Sequence, residues 1–148
     1  MTTEPSPITE FQRLYTGRVW SVMGWDQLTA FWKRIDPAAG WYLLAAGAVP
    51  ATVPADAAAV ASFIAQIDAL LRNDHRESYC GIVYADDIDN PRLIKIYDPN
   101  NLGSSCGSSK NPPGPGWIMS RELPDETLSR VSVPESRKRW WQRLRGDS

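Results

Sequence analysis

The chain has 148 residues, 43% of them hydrophobic and seven of them Trp, which is the size of one ordinary domain with enough apolar surface for a core. Its net charge of −1 excludes a surface built throughout for nucleic acid, which needs a positive field over a broad face. That charge is unevenly spread: residues 135–148 hold five basic and two acidic side chains, so they carry +3 and the remainder carries −4. Any anion-directed function is therefore expected in the C-terminal tail.

Residues 1–10 are polar with two prolines and are expected to be disordered. They show neither the basic start nor the apolar run of a secretory signal, and no stretch approaches the length of a membrane span, which predicts a cytoplasmic protein with no transmembrane segment. From Phe11 to Val22 the apolar positions fit a helical turn or a short strand equally, with Gly17 interrupting. Trp25, Leu28, Phe31, Trp32 and Ile35 then fall on one face of a helix over 25–35, which Asp36-Pro37 stops. Trp41 to Ala48 is apolar throughout between Gly40 and Pro50, as suits a strand buried on both faces.

A second helix is predicted over 54–72, where Val60, Phe63, Ile64, Ile67, Leu70 and Leu71 form a continuous stripe. Strands are predicted over 79–85 and 93–97, rich in β-branched and aromatic residues and joined by the turn-forming run Asp86-Asp87-Ile88-Asp89-Asn90-Pro91. A long glycine- and serine-rich loop, 98–117, leads into a last strand over 117–122. The fold class that follows is α+β: a small, mainly antiparallel sheet with both helices on one face, forming a single domain over 11–124. Residues 125–148 read as a linker and a basic aromatic tail.

Loops longer than about 12 residues in compact domains tend to carry binding sites, which makes 98–117 the first place to look. Gly103, Ser104, Ser105, Gly107 and Lys110 suggest a phosphate-cradling loop, but the spacing departs from that motif and Lys110 precedes Asn-Pro-Pro. Cys106 with His75 and one of Asp86, Asp87 or Asp98 could form a nucleophile, base and orienting acid, the basis of an alternative reading as a thiol-dependent enzyme. Nothing in the spacing requires it, and Cys80 reads as a small hydrophobe in a strand. Asp87, Asp89 and Asp98 match three positions of a calcium loop, yet Pro91 and Arg92 stand where that loop needs other residues, so they read as turn carboxylates. No metal site and no cofactor are expected.

Trp20, Trp25, Trp32 and Trp41 lie in apolar elements and are expected in the core. Trp117, Trp140 and Trp141, with Arg137, Arg139 and Arg143, form a different group: tryptophan beside arginine suits a protein partner's pocket, a nucleic-acid base or a membrane interface. Alternatively the tail folds back as a final helix whose Trp140, Trp141 and Leu144 cover the domain. The first expectation is a small interaction or accessory module that presents the loop 98–117 and the tail 137–145 to another protein. Nucleic acid or an anionic membrane enters only as a partner of the tail.

Overall fold

Helix formation is best determined where an N-cap, a run of good helix formers and an apolar stripe coincide, and all three meet in Ala57–Asp74. In this computed structural model, which describes residues 8–75, 81–99, 114–131 and 133–145, the Asp56 carboxylate accepts from the Ala59 N–H at 2.8 Å. Val60, Phe63, Ile67, Leu70 and Leu71 are buried along one face, and Ile64 is half-buried beside them. The helix starts later than Pro54 because the Ala55 N–H is used on the Trp41 carbonyl, 2.8 Å away. A shorter helix, Trp25–Lys33, opens where the Gln27 carboxamide accepts from the backbone N–H of Met23 and Gly24. It buries Leu28, Phe31 and Trp32, and the Trp32 indole donates to Asp68 of the longer helix at 3.1 Å.

Among the described residues the architecture is α+β, with four α-helices and a five-stranded antiparallel sheet. In chain order the elements are α1 (Glu10–Thr16), β1 (Trp20–Ser21), α2 (Trp25–Lys33), β2 (Tyr42–Ala45), α3 (Ala57–Asp74), β3 (Val83–Ala85), β4 (Leu93–Ile96), β5 (Trp117–Ser120), a 3₁₀ turn (Thr127–Arg130) and α4 (Glu135–Leu144). The strand order is β1-β3-β4-β5-β2. Register follows the apolar alternation: Leu43, Ala45, Ile94, Ile96, Trp117 and Met119 pack with α2 and α3, while Leu44, Leu93 and Ile118 pack on the opposite face. The strands β2 to β5 are each shorter than the spans predicted for them. β2 stops where the chain turns through Gly47, whose φ of +81° is a left-handed conformation that glycine adopts without strain.

The two predicted helices share one face of the sheet, as the sequence pattern suggested, and a further helix covers the other. α1 covers the second face with Phe11 and Leu14, helped by Leu128 of the 3₁₀ turn, which is 3% exposed. Thr9 caps α1 by accepting from the Gln12 N–H at 3.1 Å, so order begins inside the span expected to be disordered. The Lys95 ammonium donates to the Tyr15 carbonyl at the far end of α1 and lies 4.5 Å from the Tyr15 ring centre, a cation at the helix's negative pole. Gln12 bonds Thr127 at 2.8 Å and also Asp125, which ties the segment after residue 124 to α1. That segment therefore packs as part of the domain. Trp20, expected in the core, is 52% exposed because β1 is an edge strand of two residues. Among the described residues no helix is long and apolar enough to cross a membrane.

Two consequences are measurable. Ile67→Ala, at a side chain with no exposure, should lower the unfolding free energy by about 2–5 kcal/mol in a urea titration. The Arg13 and Arg92 guanidiniums hold the Glu10 carboxyl down from 4.5 to about 2. A carboxyl depressed on folding stabilises fully above its unfolded value, so α1 should lose this attachment as pH falls from about 4.5 through about 2. A carboxyl NMR titration should show the low midpoint for Glu10, and Glu10→Gln should remove that part of the acid sensitivity.

Candidate functional site

α4 sets the geometry of the site. Pro134, with φ −62° and ψ 150°, starts the helix, and Glu135 occupies the first turn, where a carboxylate complements the dipole. Arg137, Trp140, Trp141 and Leu144 fall at i, i+3, i+4 and i+7, so one face carries the anchoring guanidinium and the apolar side chains that pack on the domain. Trp140, Trp141 and Leu144 are half-buried against the larger core cluster, and no α4 side chain is fully buried. Of the two arrangements open for the tail, the structure has the docked one.

Arg137 anchors the helix. Its Nε and Nη2 donate to the two carboxylate oxygens of Asp98 at 2.8 and 2.9 Å, and Nη2 also donates to Asp74 at 2.9 Å. These are charge-assisted bonds in the bidentate geometry that suits a guanidinium. The Asp98 bonds, then those to Asp74, raise the Arg137 pKa above its ordinary value against the opposing effect of burial. The guanidinium carbon also lies 5.9 Å from the centre of the Trp117 ring. Trp140 meets Trp117 edge-on at 5.4 Å, and Trp141 meets Phe63 of α3 edge-on at 6.1 Å.

Glycine makes room for this network at two places. A Cβ on Gly116 would sit 3.3 Å from the Asp98 Cβ, so a side chain there would crowd the carboxylate that receives Arg137. A Cβ on Gly47 would come within 2.8 Å of the Val131 carbonyl oxygen in the segment leading to α4. Between the Gly47 turn and α4 lies a cleft of about 410 Å³. Its apolar wall is Ala46, Val49, Trp117 and Trp141, and Lys138 and Gln142 stand on the α4 side. Val49 is 89% exposed at this turn.

The structure brings together Trp117, Arg137, Trp140 and Trp141 from the predicted partner-binding group, but in another role. Trp117 is 2% exposed and packs against its own chain, with its edge in the cleft wall. Arg137 is likewise engaged internally. Arg139 and Arg143 are exposed on the outer side of α4, and Lys138, at the cleft, pairs with Glu135 of the same helix at 3.3 Å. Cys80, Gly103, Ser104, Ser105, Cys106, Gly107 and Lys110 lie outside the described residues. His75 closes α3, its ring 6.0 Å from that of Trp25.

Asp86 accepts from the N–H groups of Arg92 and Leu93 at 2.7 and 2.8 Å, and Asp87 from those of Asp89 and Asn90 at 2.9 and 3.2 Å. Both are turn residues, while Asp98 is committed to Arg137. Among the described residues no group of three His, Cys, Asp or Glu side chains is placed to hold a metal ion. Asp74 and Asp98 as the sockets of Arg137 were missed from sequence. No local signal pointed to them, because they lie 63 and 39 residues from Arg137 in the chain.

No family model, curated protein or solved structure matches the chain.

Replacing Arg137 removes three hydrogen bonds and leaves two carboxylates facing each other, which favours release of α4. Arg137→Ala should lower the unfolding free energy by about 1–3 kcal/mol and shift tryptophan emission to longer wavelength as Trp140 and Trp141 meet water. An unshifted spectrum with unchanged stability would show that the aromatic contacts hold α4 alone.

Proposed function

We propose that the protein is an interaction module whose site is the cleft beside α4, and that it recognises an acidic segment of another protein carrying an apolar anchor side chain. The observation that carries this reading is the division of α4 into two faces. Its inner face holds the helix to the domain with the Arg137 charge satisfied, which leaves Arg139 and Arg143 exposed on the outer face. A rigidly presented cationic face next to an apolar cleft offers both long-range attraction and a pocket for an anchor. The anchor would sit between Val49 and Trp141, with its acidic flank against Lys138, Arg139 and Arg143.

The cleft volume, about 410 Å³, is large enough for a large apolar side chain with part of its backbone. Asp98 and Gly116, from the described part of the span 98–117, also line it. We propose a cytoplasmic location, where two cysteines, too few for a disulfide framework, would stand as thiols.

The test uses labelled peptides of glutamate with one central leucine or tryptophan, compared with duplex DNA and with phosphatidylserine vesicles. Binding of the peptides should fall about tenfold or more in the variant Arg139→Glu, Arg143→Glu, with the melting temperature nearly unchanged, because both side chains are solvent-exposed. Tight binding of DNA or vesicles without peptide binding, or undiminished peptide binding by the variant, would contradict the proposal.

A further inference from the structure

The groups that receive α4 are all supplied by other elements: Asp74 at the end of α3, Asp98 after β4, Trp117 in β5 and Phe63 in α3. Together they form a socket for an arginine followed by tryptophans three and four residues later. The segment on the page that fits this socket is α4 itself. A second copy of the chain carries the same helix, and every contact that α4 makes with its own domain is available with identical chemistry between two copies.

We propose that α4 exchanges between two copies of this chain, each docking its Arg137, Trp140 and Trp141 into the other's socket. Three observations support exchange. First, α4 contributes no fully buried side chain, so the helix lies on the core surface and is not threaded into it, although Trp117 and Phe63 beneath it need a replacement cover. Second, the anchor before it is separate: Leu128 is 3% exposed and Gln12 bonds Thr127 at 2.8 Å, which keeps the 3₁₀ turn on its own domain. Third, the connector is already extended at its described ends, with φ −82° and ψ 132° at Val131 and φ −62° and ψ 150° at Pro134. Val131 and Val133 of this connector pack against the smaller core cluster, so exchange releases those two contacts while α4 itself stays helical.

The outer cationic face of α4 stays exposed in either arrangement, so the exchange does not depend on the function proposed above. A short tether holds α4 at an effective concentration on the order of millimolar, and exchange in the unmodified protein should appear as the protein concentration approaches that range.

The test pairs two full-length variants, one with a broken plug and an intact socket, Arg137→Asp, and one with the reverse, Asp98→Lys. In the mixture, the intact plug of one copy finds the intact socket of the other. With one partner isotopically labelled, native mass spectrometry at several hundred micromolar should show a 1:1 heterodimer exceeding either homodimer about tenfold. Because Asp98 is nearly enclosed, Asp74→Lys serves as a second broken socket at the more exposed end of α3. Thermal melts of the separate variants establish that each is folded before mixing. Monomers only in both mixtures, or heterodimer no more abundant than homodimers, would overturn the proposal.

Discussion

A single guanidinium joins three parts of the chain that are far apart in sequence. Arg137 lies 63 residues from Asp74 and 39 from Asp98, and its bonds to both fix where α4 sits relative to the end of α3 and the exit of β4. The bidentate contact matters because a single point-charge pair would leave the helix free to rotate about it, whereas two parallel bonds to Asp98 define its orientation. Orientation in turn decides which side chains face the domain and which face water. The side chains of Arg137 and Asp98 are 15% and 11% exposed, so desolvation opposes the pair, and the additional bond to Asp74 offsets part of that cost.

The sheet supplies the platform on which this contact acts. With α2 and α3 on one face and α1 with the 3₁₀ turn on the other, β2, β4 and β5 are covered on both sides, and their side chains are nearly all apolar. Asp98 is the exception at one end: it follows directly on β4 and Tyr97, opposite Gly116, on the face that receives α4. The cleft forms where β2 ends in the Gly47 turn and α4 arrives from the other side. Its two walls therefore come from segments fixed independently, one by the sheet ladder and one by the Arg137 network.

Much of this arrangement was legible in the sequence, for reasons that differ by element. α3 was readable because its cap and stripe are local, and the β3–β4 hairpin because a short turn run separates two β-rich segments. α1 was not distinguished from a strand, since Phe11 and Leu14 alone define its buried face and Gly17 ends it within two turns. β1 has no local signature at all, for its two residues become a strand only by pairing with β3. Leu128, with half-buried Val131 and the Gln12 bonds to Asp125 and Thr127, makes residues 125–131 part of the domain, and two apolar side chains among polar neighbours leave no periodicity to detect. The tail's composition marked it as important. Whether its tryptophans faced inward depended on two distant carboxylates whose partnership with Arg137 no spacing rule encodes.

The central claim, that the Arg137–Asp98 contact holds α4 on the domain, is tested most directly by a double-mutant cycle in urea unfolding. The variants are Arg137→Met, Asp98→Asn and the pair together, all in the full-length chain. Groups in direct contact within one network couple by about 0.5–3 kcal/mol, and a favourable coupling of at least about 1 kcal/mol is predicted here. A coupling indistinguishable from zero, with the two single effects simply adding, would contradict the account.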